Sequence, residues 1–307
     1  MKKTILGLLI PLAITAAACG SDSKAAEPAA TTVAAATTAA TTAAAAAATT
    51  AAPVALPAAV QALKAKGKIT IGVKFDVPLF GLKNPTNGQI EGFDVEIGKL
   101  IAKAIYGTAD GKIEFVEAVS KNREPFIQAG QVDLVISTYT INDARKAIVD
   151  FAGPYYVAGQ DILVKKGNAT IKGVADLGGK KVCSVTGSTS LKNVQEKAPT
   201  ADLSIVFDKY SLCVEALKDG RVEAVTTDNI ILLAFVSDAP NDLQLVGNAF
   251  TTEPYGIGLK KGNTELRSFV NDVLDASYKD GSWAKAFDAT VGKSGQKAPA
   301  PPKVDRY

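Results

Sequence analysis

One nine-residue pattern occurs twice in the chain. Ala129-Gly130-Gln131-Val132-Asp133-Leu134-Val135-Ile136-Ser137 is echoed about 90 residues later by Asp219-Gly220-Arg221-Val222-Glu223-Ala224-Val225-Thr226-Thr227. In each copy a helical stretch closes at Gly, a short β-branched run follows, and hydroxyl residues open into another helix. Strand and helix alternate, which is α/β architecture. Two copies so far apart predict two similar α/β lobes rather than a solenoid, whose short repeats need at least three copies. In open α/β sheets ligands sit beyond the carboxyl ends of the strands. Two facing lobes would therefore enclose a cleft.

The rest of the body fits this pattern. Ile69–Val73 reads as a strand ending in Lys74, Ile113–Val116 as another, and Arg123–Ala129 as a helix closed by Gly130. Gly92-Phe93-Asp94-Val95-Glu96 opens a helix with Asp94 at the N-cap, continued by Ile97, Leu100, Ile101, Ala104 and Ile105 at helical spacing. Lys181–Val185 is the first strand of the second lobe, and the small-residue loop Thr186–Ser190 leads into a helix. After the strand Asp133–Ile136 come Ser137-Thr138-Tyr139-Thr140, then Asn142 at an N-cap position with Asp143 in the first turn. A strand end thus opens onto a helix N-terminus, where free N–H groups and the helix dipole favour an anion. Arg145, one turn in, adds a two-pronged grip on a carboxylate. The plainer alternative is a solvated loop with a surface Arg. Four groups lie just past strand ends: Lys74, the Thr138–Arg145 segment, Thr186–Thr189, and Asp228 after Val222–Val225. Cations, open amides and one acid suit a zwitterion carrying an extra carboxylate, with Arg145 on the α-carboxylate and Asp228 on the α-ammonium.

Composition removes several function classes. The 307 residues include no His, which excludes Ser-His-Asp and Cys-His catalysis and any His-ligated metal. Three cysteines exclude a tetrathiolate zinc site. No metal, cofactor or catalytic residue is expected, so the chain is read as a non-enzyme. A formal charge of +3 gives no argument for nucleic acid or a basic membrane-binding face. Lys2, Lys3 and the apolar run Ile5–Ala18, too short to span a bilayer and holding Pro11, mark residues 1–18 as a secretory signal peptide. Ala16-Ala17-Ala18-Cys19-Gly20 resembles the lipobox of bacterial lipoproteins. That resemblance implies a lipidated Cys19 and an extracytoplasmic chain anchored to the outer face of the cytoplasmic membrane. With Cys19 so used, Cys183 and Cys213 form an even pair in an oxidising compartment, and a disulfide is the default. Residues 19–58 are nearly all Ala and Thr, a tether with an average reach of about 35 Å as a coil. Residues 293–307, with Ala298-Pro299-Ala300-Pro301-Pro302, read as a disordered tail.

From about residue 62 to 292 the body resembles family 3 extracellular solute-binding proteins, the polar amino-acid-binding subunits of ABC importers. The matching pieces, in order, are Gly92-Phe93-Asp94-Val95-Glu96-Ile97, Thr140-Ile141-Asn142-Asp143-Ala144-Arg145, Phe151-Ala152-Gly153-Pro154-Tyr155-Tyr156, Gly187-Ser188-Thr189 and Tyr255-Gly256-Ile257-Gly258-Leu259-Lys260. Ile71–Asp76, Val182–Thr189 and Tyr210–Leu217 are similar to the glutamate-binding lipoproteins of actinobacteria. The resemblance implies the type II periplasmic-binding-protein fold. Lobe 1 would comprise 59–156 plus 253–292 and lobe 2 157–252, joined by crossing strands near Tyr155–Gln160 and Asn248–Pro254. It also implies roles for individual residues. The Thr138 carbonyl and Asp228 take the α-ammonium, while Thr140 and Arg145 take the α-carboxylate. Ser188 and Thr189 offer N–H groups from the facing lobe, and Lys74 and Arg123 meet the ligand side chain. Two cations there favour glutamate or aspartate over glutamine. Plainer readings make Arg123 an exposed cation, Lys74 solvent-facing and Asp228 a helix cap. The family's aromatic wall has no clear match near Val77-Pro78-Leu79-Phe80. The implied partners are the amino acid, the transmembrane subunits of an ABC permease and the membrane, with the chain a monomer. An amino-acid sensor would use the same pocket, and an enzyme on this fold would need an acid or base free of the zwitterion.

Overall fold

The computed structural model describes residues 55–307. The signal peptide, Cys19 and most of the Ala/Thr tether lie outside the described residues. Among the described residues, twelve strands form three sheets. In chain order the strands are β1 (Ile69–Val73), β2 (Asp76–Val77), β3 (Gly81–Lys83), β4 (Ile90–Glu91), β5 (Ile113–Glu117) and β6 (Leu134–Val135). They continue with β7 (Val149–Ala158), β8 (Gln160–Lys165), β9 (Val182–Cys183), β10 (Ala224–Asp228), β11 (Leu243–Leu245) and β12 (Glu253–Lys260). The sheet of lobe 1 has the order β5-β1-β6-β12-β7, that of lobe 2 β11-β8-β10-β9, and β2-β3-β4 form a small separate sheet.

The sequence repeat appears in the topology. β6 and β10 follow the helices Arg123–Gln128 and Tyr210–Lys218, each closed at a left-handed glycine, Gly130 (φ 67°) and Gly220 (φ 77°). Each strand then pairs in parallel on one side, β6 with β1 and β10 with β9, and antiparallel on the other, with β12 and β8. β1 is buried at every position, as a strand covered by helices on both faces requires.

Gly159 alone separates β7, in the first sheet, from β8, in the second. A Cβ there would lie 2.8 Å from the Thr251 carbonyl on the returning segment, so only glycine lets the two crossings approach. Gln160 N donates to Thr251 Oγ1 (2.9 Å) and Phe250 N to Gln160 O (2.9 Å), lacing the crossings together. Lobe 1 is filled by an aromatic cluster of Phe80, Phe93, Tyr155, Tyr156, Tyr255, Trp283 and Phe287 in mostly edge-to-face contact, such as Phe93–Trp283 at 5.7 Å. The Cys183–Cys213 disulfide, expected from the sequence, ties β9 to the helix Tyr210–Lys218 with the Cα atoms 5.6 Å apart.

Two local expectations are corrected. Gly92, not Asp94, occupies the cap of the helix Phe93–Tyr106, and Asp94 is fully buried at its second position. The segment 293–307, expected to be a disordered tail, packs on lobe 1. Asp305 N donates to Gly153 O (2.8 Å) and Phe151 N to Tyr307 Oη (2.9 Å), both on the edge strand β7. Arg306 bonds Asp272 (2.7 Å) and Asp275 (2.6 Å), and Arg267 donates to the Tyr307 carbonyl. Composition hid this because the anchors are a few residues beyond the Pro-rich run, and their partners lie far upstream.

Candidate functional site

On lobe 1, Lys74 follows the end of β1, Arg123 opens the helix after β5, and Arg145 lies in the helix after β6. Lys74, 2% exposed, donates from Nζ to Ser120 Oγ (2.9 Å) and lies 5.7 Å from the centre of the Tyr210 ring on lobe 2. Burial, and secondarily the charge of Arg123, lower its ammonium to about 7. Arg123 is buried rather than an exposed cation. Its Nε donates to Ser120 O (3.1 Å), Nη1 to Ser137 O (3.0 Å) and Thr138 O (3.1 Å), and Nη2 to Gly187 O on the other lobe (3.4 Å). Burial pushes its guanidinium below the ordinary value, and Arg145 adds to the effect.

Arg145 is also no surface residue. Asn142 caps the four-residue helix Asp143–Lys146 by accepting from Arg145 N (2.9 Å), as its sequence position indicates. This directs the Arg145 side chain back into the cleft. Nη1 donates to Thr140 O (2.7 Å), Nη2 to Gly187 O (3.2 Å) and Nε to Glu124 Oε1 (3.0 Å). Both guanidinium groups lie over the Tyr139 ring, at 4.3 Å for Arg123 and 4.9 Å for Arg145.

Thr138 adopts a left-handed backbone (φ 42°), rare for a β-branched residue and costing about 1–3 kcal/mol. Asp94 holds it there: Thr138 N donates to Asp94 Oδ2 (2.9 Å), and Tyr155 Oη donates to Oδ1 (2.5 Å). Burial lifts the Asp94 carboxyl to about 7. Asp94 is thus a buried support for the Thr138 turn, not the cap its sequence position suggested.

Lobe 2 brings the remaining groups. Ser188 caps the nine-residue helix Thr189–Lys197, accepting from Leu191 N (2.9 Å), and Thr189 Oγ1 lies 3.5 Å from Thr140 Oγ1 across the cleft. Gly187 (φ 77°) lies so close to lobe 1 that a Cβ would fall 2.6 Å from Lys121 Cα. Asp228 ends β10. Its Oδ2 accepts from Tyr255 Oη (2.6 Å), while Oδ1 is buried with no hydrogen-bond partner among the described residues. It makes no side-chain cap bond to the helix Asn229–Asp238, so capping does not account for it. Burial first, then the neighbouring charge of Glu253, raise its carboxyl to about 7. Lys121–Asp208 (2.6 Å) and Lys209–Glu117 (2.5 Å) bridge the lobes at the rim.

A cavity of about 680 Å³ at the junction is lined by four of the residues singled out from the sequence, Thr140 and Arg145 from lobe 1 and Ser188 and Thr189 from lobe 2. Lys74, Arg123, Thr138 and Asp228 are buried near the junction but are not among the cavity's lining residues. Ser120, Tyr139, Tyr210, Tyr255 and the Gly187 carbonyl share the junction and were not anticipated. Tyr139 and Tyr255 stood inside stretches already singled out, so their position was the available signal. Tyr210 opens the stretch Tyr210–Leu217, also singled out, and its position was likewise the signal. Among the described residues no cluster of acids and cysteines could hold a metal. The arrangement offers a guanidinium and the start of the helix Thr189–Lys197 at one end, with Ser188 N already donating to Val185 O (3.3 Å), and a lone carboxylate oxygen at the other. Such a junction can hold a small zwitterion.

Comparison with known proteins gives the lineage. The model of "Bacterial extracellular solute-binding proteins, family 3" matches residues 69–293. The chain is 47% identical over 227 residues to the ABC transporter glutamine-binding protein GlnH of Bacillus subtilis, covering 74% of this chain and 82% of the relative. It is 38% identical over 239 residues to the glutamate-binding protein GluB of Corynebacterium efficiens, covering 75% and 81%. Among solved structures, an ancestral arginine-binding protein bound to glutamine superposes with a TM-score of 0.69 at 42% identity, over 74% of this chain and 98% of the other. Fold, site geometry and these matches agree: the chain belongs to the family 3 bacterial extracellular solute-binding proteins, with the type II periplasmic-binding fold.

Proposed function

We propose that the cleft takes a free amino acid with an acidic side chain, glutamate or aspartate, and that the protein is the substrate-binding lipoprotein of an ABC importer. Arg145, Thr140 and the N–H groups of Ser188 and Thr189 receive the α-carboxylate. Asp228 and the Thr138 carbonyl receive the α-ammonium. Lys74 receives the side-chain carboxylate. The ligand is shared between lobes, so its capture favours their closure. Micromolar affinity corresponds to about −8 kcal/mol, within the sum of several charge-assisted bonds. Asp228 is committed to the ammonium and Tyr255, Asp94 to Thr138 and Tyr155, and Glu124 to Arg145, which supports binding without turnover. Cys19 anchors the chain by lipid, and the loaded form docks on the permease.

Lys74 carries the acidic assignment: a buried ammonium whose one side-chain hydrogen bond is to a neutral hydroxyl. A second reading, glutamine, draws on Arg123, whose donors face backbone carbonyls rather than a ligand, and on the 47% identical relative named for glutamine. Titration calorimetry of the purified protein with glutamate, aspartate, glutamine and arginine separates the two. Glutamate or aspartate should bind most tightly. A preference for glutamine would replace the acidic assignment, and silence with all four would remove the amino-acid reading.

A further inference from the structure

We propose that Tyr255 is a positioning residue that fixes the distance between the carboxylate seat and the ammonium seat. The inference rests on the zwitterion reading above and assigns a role to a residue outside the ligand-contacting set.

Tyr255 touches both seats at once. Its backbone bridges Thr140 as an isolated antiparallel pair, flanked by Ile141 N donating to Pro254 O (2.8 Å) and Gly256 N donating to Tyr139 O (2.9 Å). The loop that carries Thr140 and leads to Arg145 is thereby fastened to β12 at Tyr255. The side chain reaches the other lobe, where its hydroxyl donates to Asp228 Oδ2. The ring cannot drift between the two attachments. It is fully buried, with Phe80 at 6.1 Å, Tyr155 at 6.2 Å and Tyr156 at 5.9 Å. A two-torsion aromatic held this way acts as a strut of set length.

The hydroxyl also selects which Asp228 oxygen is offered. It occupies Oδ2 and leaves Oδ1 buried and unpartnered, the atom expected to meet an ammonium. Around Asp228, the charged or titratable groups are Glu253 and Tyr255 on β12, Lys74, Arg123 and Arg145 from lobe 1, and Tyr210 from the neighbouring helix of lobe 2. Burial and Glu253 hold its carboxyl toward the protonated form, and the Tyr255 bond opposes them. Without the hydroxyl, Asp228 loses both its orientation and part of its ionisation near neutrality.

The test is Tyr255→Phe, which deletes one oxygen and keeps the ring. Glutamate affinity is measured by calorimetry from about pH 5.5 to 8.5, alongside the wild type. At pH 7 the affinity should fall about tenfold or more. The acidic limb of the affinity profile should move to higher pH, so the deficit narrows toward about pH 8.5. In an Asp228→Asn background, adding Tyr255→Phe should cost less than about threefold, because the two act as one unit. An affinity within about twofold of wild type, or a Tyr255→Phe cost in the Asp228→Asn background as large as in the wild type, would overturn the strut; the second result would mean packing alone. If the wild type binds no amino acid, the zwitterion reading fails and the strut with it. That outcome is distinct from a wild type that binds and a variant that binds equally well.

Discussion

Arg145→Lys keeps the positive charge and removes the fork, so it isolates geometry from charge. In the structure the guanidinium reaches three acceptors at once, Thr140 O at 2.7 Å, Gly187 O at 3.2 Å and Glu124 Oε1 at 3.0 Å. An ammonium on a flexible stem does not reproduce that span. It keeps an ion pair beside Glu124 and gives up both the bond to lobe 2 and one prong on a ligand carboxylate. Hydrogen bonds to charged groups contribute about 1.5–3 kcal/mol each, and two are lost. Taking the low end of each gives about 3 kcal/mol, or roughly 10²-fold in Kd. Calorimetry reads this directly, and thermal unfolding reads it independently. At a ligand concentration of about 100 times the wild-type Kd, the wild type gains about 2.7 kcal/mol of stability from binding. The variant, at the same concentration, sits near its own Kd and gains only about 0.4 kcal/mol. The ligand-induced shift in Tm should therefore nearly vanish, whatever the change in the ligand-free Tm. A Kd within about threefold of wild type would refute the reasoning, since Arg145 would then not grip the ligand by its fork.

Lys74→Gln removes the buried ammonium but keeps a donor near Ser120. Glutamate affinity should drop about tenfold or more while glutamine affinity stays within a few-fold, measured by the same titrations. An unchanged glutamate-to-glutamine ratio would exclude Lys74 as the side-chain selector. Replacing Cys183 and Cys213 together with Ser opens a loop with a sequence separation of 30 and should lower unfolding stability by about 3–4 kcal/mol in denaturant titrations. A loss below about 1 kcal/mol would mean that the unfolded chain is little constrained by the bridge.

Features that depend on neighbours along the chain were legible in the sequence. The repeated helix-Gly-strand unit, the Asn142 cap and the hydroxyl-rich strand end all rest on residues within a few positions of each other, and the structure has all three. Distant partners were not legible. Asp94 looks like a cap from its neighbours, yet it is spent on Thr138 and Tyr155, 44 and 61 positions away. Arg123 looks like a ligand cation or a surface charge. Its donors instead go to the carbonyls of Ser120, Ser137, Thr138 and Gly187, because a buried guanidinium with five donors needs acceptors from any segment that passes near. The tail escaped for a related reason. Proline and alanine report that a segment has little core of its own, and say nothing about whether Arg306 and Tyr307 find acids and a strand edge elsewhere.

β12 sits between β6 and β7 in the sheet of lobe 1, although the whole of lobe 2 precedes it in the chain. Until residues 253–260 emerge, the first lobe has an empty slot in its middle, and β6 and β7 have no central partner. Lobe 2, by contrast, is one uninterrupted stretch whose sheet can be completed from its own residues. The order of synthesis therefore runs against the order of the sheet. The lobe that is translated first can complete its sheet only after the second lobe has been made.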